Sequence, residues 1–243
     1  MVSEPRSLQL TVAHVRDLTP RMREISLVVP APTQFAYLPG QDVSLGFTAG
    51  DGTAVRRRYS IRRFSRERGL LDINVVMHGD GPGMRWAQNV TAGMPIDAIA
   101  PRGKITLAEG AAWHLFAGDA TAVPAAFGMI EALPEGTPAF GFFLVDDASE
   151  RQPLEADGNG RTIEWRYQSV EADPSPALAA AIRSTSLPAT AGHAYLAGEV
   201  GLVSALKAAL LVQGWTGDRI AAKAYWNRGR ANAGHGEPEQ KAS

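Results

Sequence analysis

The hydrophobic pattern changes period once along this chain, and the change demands two folding units of different class. Up to about residue 110, apolar residues alternate with polar ones: Leu8/Leu10/Val12, Ile25/Leu27/Val29, Val43/Leu45/Phe47 and Leu71/Ile73/Val75/Met77. Period two is the spacing of half-buried strands. The turn signals LPGQ, AGDGT and TAGMP separate them, so the sequence predicts a small closed or partly closed antiparallel β-barrel. After PRGKITLAEG the pattern becomes strand and helix in alternation. AAWHLFAGD, PAFGFFLVDD, TIEWRYQSV, HAYLAGE and RIAAKAYW read as strands, with VPAAFGMIEAL, PALAAAIRS and VGLVSALKAALLVQG as helices. That order predicts an α/β unit with a mostly parallel sheet covered on both faces. The expected division is 1–109, 110–230 and a polar, disordered tail, 231–243.

A chain of 243 residues can bury two modest cores. With 24 basic and 25 acidic side chains and a net charge of -1, it has no global field to attract nucleic acid or an anionic membrane, so neither is an expected partner. The absence of cysteine excludes disulfides, thiolate zinc sites, thiol nucleophiles and a cysteine-ligated iron–sulfur cluster on this chain. A redox role would therefore need an organic cofactor. No apolar run reaches about 18 residues and the first residues lack a signal-peptide pattern, which leads to the expectation of a cytoplasmic monomer with no membrane insertion.

Any anion site must be local, and RRRYSIRRF at residues 56–64 is the candidate: seven of the 20 arginines lie between Arg56 and Arg68. In a strand, Arg57 and Tyr59 project to one side. A guanidinium fork suits phosphate oxygens, and a phenol ring suits stacking on a flat heteroaromatic system. Ser60 adds a hydroxyl that both donates and accepts, the chemistry a flavin N5 edge asks for in its two redox states. Strict alternation turns Ser60 away from Tyr59, so this reading requires a bend or bulge there. The alternative is a surface strand with wet arginines and an inward Tyr59.

Downstream, VVMHGDGPGMRWAQ ends a strand at Met77 and His78, passes a glycine-rich turn and reaches Pro82, where a helix can begin. Backbone N–H groups of residues 83–85 would then point at an anion, with Arg85 in the first turn. In the second unit, Gly118-Asp119 and Gly198-Glu199 fall at strand ends, where parallel sheets collect ligands. Either acid could instead cap a helix. GxGxxG is absent, so no Rossmann fingerprint is present. Asp146 and Asp147 lean towards NADH over NADPH, while the nearby Arg151 keeps NADPH open. The histidines His14, His78, His114, His193 and His235 show no metal-ligand spacing, and no resident metal site is expected.

RRYS, VVMHGDGPGMRWA, PRG, FAGDATAVPAAFGMIEALP, DDASERQPL, AYLAGEVGLVSALKAALL and AYWNRG resemble, in order and spacing, the siderophore-interacting protein family of the ferredoxin-reductase-like superfamily. The resemblance implies an FAD-binding barrel, an NAD(P)H-binding α/β domain using NADH or NADPH, and reduction of ferric iron held by a siderophore, with a ferredoxin as a further partner. It assigns cofactor contacts to Arg57, Tyr59, Ser60, Met77, His78, Gly81, Pro82, Gly83, Met84 and Arg85 in the first domain. In the second it assigns them to Asp119, Thr121, Gly198, Glu199, Tyr225 and Trp226. Ser60 is the catalytic candidate. Arg62, Arg63 and Lys104 are candidates for attracting an anionic chelate, against a reading as ordinary surface charge. Met84, Ala100, Ala120 and Asn227 depart from residues frequent in the family. Rival readings are a flavin reductase with another acceptor and a non-catalytic siderophore-binding protein.

Overall fold

The computed structural model describes residues 6–155, 160–170 and 174–228; the tail from Ala231 lies outside them. The chain forms two units, residues 1–107 with 127–132 and residues 108–126 with 133–243.

The first unit is a closed barrel of six antiparallel strands in the order β1-β2-β5-β4-β3-β6. Its strands are β1 (Arg6–Thr19), β2 (Met22–Val28), β3 (Asp42–Thr48), β4 (Ala54–Ser65), β5 (Leu70–Val76) and β6 (Pro95–Arg102). A single helix, α1 (Pro82–Asn89), lies between β5 and β6. The alternating residues do close the core: Leu10, Ile25, Leu27, Val43, Leu45, Leu71 and Ile73 are fully buried. Each such aliphatic side chain contributes roughly 1.5–3 kcal/mol on burial. Strand β6 is the one the sequence reading missed. PIDAIAPR carries two prolines and small alanines, yet Ile96, Ala98 and Ala100 point inward and β6 pairs with both β1 and β3. Without it the barrel would be an open sheet with two bare edges.

The second unit is a five-stranded, wholly parallel sheet in the order β11-β10-β7-β8-β9. The strands are β7 (Trp113–Asp119), β8 (Ala139–Val145), β9 (Arg161–Tyr167), β10 (Gly192–Glu199) and β11 (Ile220–Trp226), and the helices α2 (Val123–Glu131), α3 (Pro174–Ser184) and α4 (Val200–Val212). Leu178 and Ile182 of α3 and Leu202, Leu206 and Leu210 of α4 pack with Leu115, Ala117, Phe142, Leu144 and Leu196 as one core. The second half of α2, Phe127–Glu131, belongs with the barrel. The reason is Arg62, whose guanidinium makes two bonds to the Glu131 carboxylate at 2.5 and 2.6 Å.

That pair corrects one expectation. Arg62 is only 7 % exposed and bound to Glu131, so it is a buried structural charge and not a surface cation awaiting a chelate. It also occupies the one extra residue of β4: pairing with β5 slips between Ile61 and Arg63. The bulge falls two residues later than the sequence reading required. Ser60 stays in register opposite Asp42.

Two stability measurements follow from these burials. Removing one partner of a buried pair strands the other, so Arg62→Ala should lower unfolding free energy by about 3–5 kcal/mol in urea titrations, with Arg62→Met/Glu131→Leu recovering most of it. A loss under about 1 kcal/mol would instead mark an exposed-type pair.

His114 is 3 % exposed on β7, and its Nδ1 lies 3.3 Å from the Tyr195 hydroxyl, which already accepts from the Ala108 N–H at 2.7 Å. The hydroxyl can donate to Nδ1 or accept from it, according to the ring tautomer. Burial, with the adjacent His193 adding to it, lowers the His114 pKa to about 4. A folded pKa below the unfolded one means stability is full above about pH 6.5 and is lost as pH falls towards 4. The loss should approach about 3 kcal/mol and be smaller in His114→Gln, read as the urea midpoint against pH.

Candidate functional site

The first cluster is built where α1 meets β4. Arg57 and Tyr59 lie opposite Leu45 and Val43 across the β3–β4 ladder and so share their inward side. Tyr59 packs on the barrel core, edge-on to Phe47 with centroids 6.4 Å apart and planes at 82°. Burial raises its phenol pKa and the Arg57 guanidinium opposes the rise, so the hydroxyl stays protonated at neutral pH.

Helix α1 begins at Pro82, with Gly81 as N-cap and no side chain capping it. A Cβ on Gly83 would sit 2.2 Å from the Tyr59 hydroxyl and 3.5 Å from the Arg57 Cγ. Glycine alone lets the first turn settle onto these two side chains. The expected trio of free N–H groups is a pair, because Arg85 N–H bonds the Gly81 carbonyl at 3.0 Å and closes the first helical turn. Gly83 and Met84 are the remaining donors, and Pro82 has none to offer.

The arginine-rich stretch sorts itself by partner. Arg58 holds Asp42 with two bonds at 2.9 and 2.6 Å, and Arg63 reaches Asp72 at 3.3 Å. Arg56 donates to the Ser44 carbonyl at 3.1 Å. Arg57 donates only to the Arg56 carbonyl, at 2.8 Å, and among the described residues no carboxylate pairs with it. An arginine beside two backbone donors at a helix start, with a tyrosine ring next to it, is a fit for a diphosphate joined to a flat ring system. Half-buried Met77 packs on the same core, while His78 and Lys104 are exposed.

Sequence reasoning missed a groove of about 760 Å³ beside this helix, lined by Phe47, Arg56, Arg85, Trp86, Met94 and Asp97 among others. The i, i+3, i+4 spacing of Pro82, Arg85 and Trp86 was its only sequence signal, since Asp97 sits on the strand that escaped detection.

The second cluster ties together the carboxyl ends of β7, β10 and β11. Asp119, 5 % exposed, accepts from Thr121 N–H at 2.8 Å, Thr121 Oγ1 at 2.5 Å, Glu199 N–H at 2.7 Å and Trp226 Nε1 at 2.9 Å. Burial raises its pKa against the lowering effect of those four donors. Gly198 has φ +130°, and a Cβ there would meet Asp119 Oδ2 at 2.6 Å. Glu199 caps α4, accepting from Gly201 and Leu202 N–H at 2.6 and 3.0 Å. These placements correct the expectation that Asp119 and Glu199 offer their carboxylates to a nucleotide: both are spent on the fold. Trp226 is likewise anchored by its indole N–H, and Tyr225 stands beside Lys223 with Nζ 5.6 Å from the ring centroid. Asp147 turns onto Ser149 at 2.8 Å, and Arg151 lies over the Tyr167 ring at 5.3 Å. Both side chains are thus engaged by their neighbours within the second unit.

A closed six-stranded barrel followed by a parallel α/β sheet is a fold shared with the ferredoxin reductase in carbazole 1,9a-dioxygenase, at a TM-score of 0.74 and 21 % identity over 92 % of this chain and 70 % of that one. Residues 42–105 match the family model for the siderophore-interacting FAD-binding domain, and 111–229 that for siderophore-interacting protein. The chain belongs to the siderophore-interacting protein family, and its barrel is the family's FAD-binding domain. It is 34 % identical over 183 residues to the ferric vibriobactin reductase ViuB of Vibrio cholerae, covering 72 % of this chain and 66 % of that protein. The crystal structure of a siderophore utilization protein from T. fusca matches with a TM-score of 0.84 and 29 % identity, covering 97 % of this chain and 98 % of that one. The siderophore-interacting protein SipS from Aeromonas hydrophila matches at 0.79 and 27 %, covering 93 % and 94 %.

Gly83→Ala should drive Tyr59 and α1 apart. The expected result is a fall in flavin occupancy on purification, by about tenfold or more, with Gly81→Ala, which has open space around its Cα, close to wild type. Equal occupancy in both variants would show that the close approach does not matter.

Proposed function

We propose that this chain is an NAD(P)H-dependent, FAD-containing reductase of ferric siderophores, acting as a cytoplasmic monomer where reduced nicotinamide is available. The observation that carries the reading is the cradle formed by Arg57, Tyr59 and the start of α1: a guanidinium without a carboxylate partner, an aromatic ring and two backbone donors meeting at Gly83. The likeness to a ferric vibriobactin reductase supports the substrate class.

Bound FAD supplies the conversion of a two-electron hydride donor into single electrons for ferric iron, which arrives as substrate inside its chelator. The protein's task is positioning. Arg57 and the N–H groups of Gly83 and Met84 would hold the diphosphate, with Gly81, Pro82 and Arg85 shaping the turn. The Tyr59 ring would offer the flat surface for the flavin, with Met77 and His78 at the adjoining strand end. Ser60 stays in the β4 ladder opposite Asp42, on the side away from Tyr59, so the expected role at the ring's N5 edge is not assigned to it. Thr121, Gly198, Tyr225 and the Asp119-anchored Trp226 shape the nicotinamide side, with Asp119 and Glu199 acting through the fold. Exposed Lys104 would draw the anionic chelate, whereas Arg63 is already paired with Asp72. A ferredoxin is the other donor this reading allows.

The test is a yellow preparation whose flavin bleaches with NADH or NADPH under nitrogen and recovers on adding a ferric siderophore, with ferrous iron trapped stoichiometrically. Faster turnover on free flavin, quinones or dyes would overturn the substrate, and failure to bleach with either nicotinamide would overturn that donor. Arg57→Ala should weaken FAD binding by about 1.5–3 kcal/mol through loss of a charge-assisted bond, measured by flavin fluorescence titration. Unchanged affinity would remove Arg57 from the diphosphate.

A further inference from the structure

The end of the barrel opposite α1 carries a second set of arginines, none of which the cradle uses. Strands β2 and β4 end there and β1 and β5 begin there, as the pairings Thr11–Val28, Val28–Leu70 and Ser65–Leu70 fix. The carboxylates that neutralise β4 stop at Arg63, and Arg66 and Arg68 lie beyond the strand on the turn 66–69. Arg6, the first residue of β1, joins them.

The three side chains meet across two loops. After β2 the chain makes a short 3-10 turn, Pro32–Gln34. Arg66 donates from Nη1 and Nη2 to the Thr33 and Phe35 carbonyls at 3.2 and 3.5 Å, while Arg6 Nη2 takes the Gln34 carbonyl between them. Two guanidiniums are thus braced on three successive carbonyls. Arg68 folds its Nε onto Ser65 Oγ at 3.3 Å on the same turn. Among the described residues no carboxylate pairs with any of the three, and exposed Glu67 is the acidic neighbour on the turn.

The two loops hold each other in place without a ligand. The Val29 N–H bonds the Gly69 carbonyl at 2.9 Å, and Gly69, with φ +64°, brings its Cα side against Pro32, whose Cγ a Cβ there would meet at 3.4 Å. Phe35 is fully buried, edge-on to Phe64 with centroids 4.8 Å apart. Ala31 holds φ +51°, a left-handed conformation that a residue with a side chain avoids, and strain of this kind clusters where a loop presents a ligand site. Like charges set side by side repel, and carbonyl oxygens offset only part of that repulsion. Of the five N–H donors on each guanidinium, Arg6 uses one and Arg66 two on the loop, so donors remain for an incoming group. A tetrahedral dianion answers this arrangement better than one carboxylate: it brings two charges, and its oxygens match guanidinium forks in pairs.

We infer that Arg6, Arg66 and Arg68 form an oxyanion site of the phosphate class at the barrel end opposite α1, taking either free phosphate or the phosphomonoester of a lipid headgroup. The site is separate from the anion position at Gly83 and does not rest on the flavin reading.

The experiment follows the unfolding temperature of the protein as purified against added inorganic phosphate, with sodium chloride at matched ionic strength as the reference. Wild type should rise and saturate with phosphate beyond the chloride response. Arg66→Gln should weaken the apparent phosphate affinity at least about tenfold. Arg68→Glu, which reverses a charge on the turn without touching the loop at 31–35, should weaken it too. Arg21→Gln removes the same charge from an exposed turn at the other barrel end and should leave the affinity unchanged. Arg57→Ala should also keep the response, since an ion held at the start of α1 would be lost with that variant. Vesicles of phosphatidylcholine with and without phosphatidic acid separate the two sources. Pelleting with phosphatidic acid that free phosphate reverses means a lipid headgroup, and phosphate binding without pelleting means a soluble phosphate; either supports the site. No response beyond chloride, a response lost in Arg57→Ala alone, or a full response in both Arg66→Gln and Arg68→Glu would overturn it and leave these arginines as braces of the loop.

Discussion

The approach of α1 to β4 at Gly83 is the contact on which the barrel's chemistry depends. A helix start has donors but no shape of its own, and a strand arginine has charge but no fixed direction. Set against each other at the distance only a glycine permits, they would define one anion position on the proposed reading, with the Tyr59 ring beside them packed on Phe47 and the barrel core. The contact is possible because β6 closes the barrel and returns the chain from α1 to β1 and β3. A strand with little intrinsic preference for its state is thus what fixes the helix carrying the site.

Electrostatics explain how so many arginines fit on one strand. Arg58, Arg62 and Arg63 are each neutralised by a carboxylate from a different element: Asp42 on β3, Glu131 on α2 and Asp72 on β5. These pairs pin neighbouring parts of the unit to β4 and remove its positive field everywhere except near Arg56 and Arg57. The sequence offers seven similar cations, and selective pairing turns them into a localised anion site on a chain of net charge -1.

What was legible in the sequence follows from range. Period-two runs such as Leu71/Ile73/Val75 and the strand–helix order after residue 110 are local patterns, and they identified the barrel and the parallel sheet. The Arg57/Tyr59 pair and Pro82 at the start of α1 were legible for the same reason. Strand β6 was not, because PIDAIAPR owes its strand state to the two partners it bridges and hardly at all to propensity. Nor was the slip at Arg62, which depends on a carboxylate 69 residues away. Asp119 was singled out correctly as a special residue and given the wrong work. A Gly-Asp turn at a strand end looks the same whether its carboxylate faces a ribose or the indole of a residue 107 positions later.

The Asp119 cluster changes how the second unit must recognise its ligand. Four donors converge on one buried carboxylate whose pKa burial pushes upward, and so the charge, the strand ends and Trp226 are held as one piece. A carboxylate so committed would have to give up Thr121, Glu199 or Trp226 to accept from a ribose. Glu199 is bound to the start of α4 in the same way. On the proposed reading, recognition at this strand end would fall to what the network presents: backbone near Gly198, whose φ of +130° and closeness to Asp119 both require glycine, and the aromatic pair Tyr225 and Trp226. Such a surface would read shape and ring stacking more than charge.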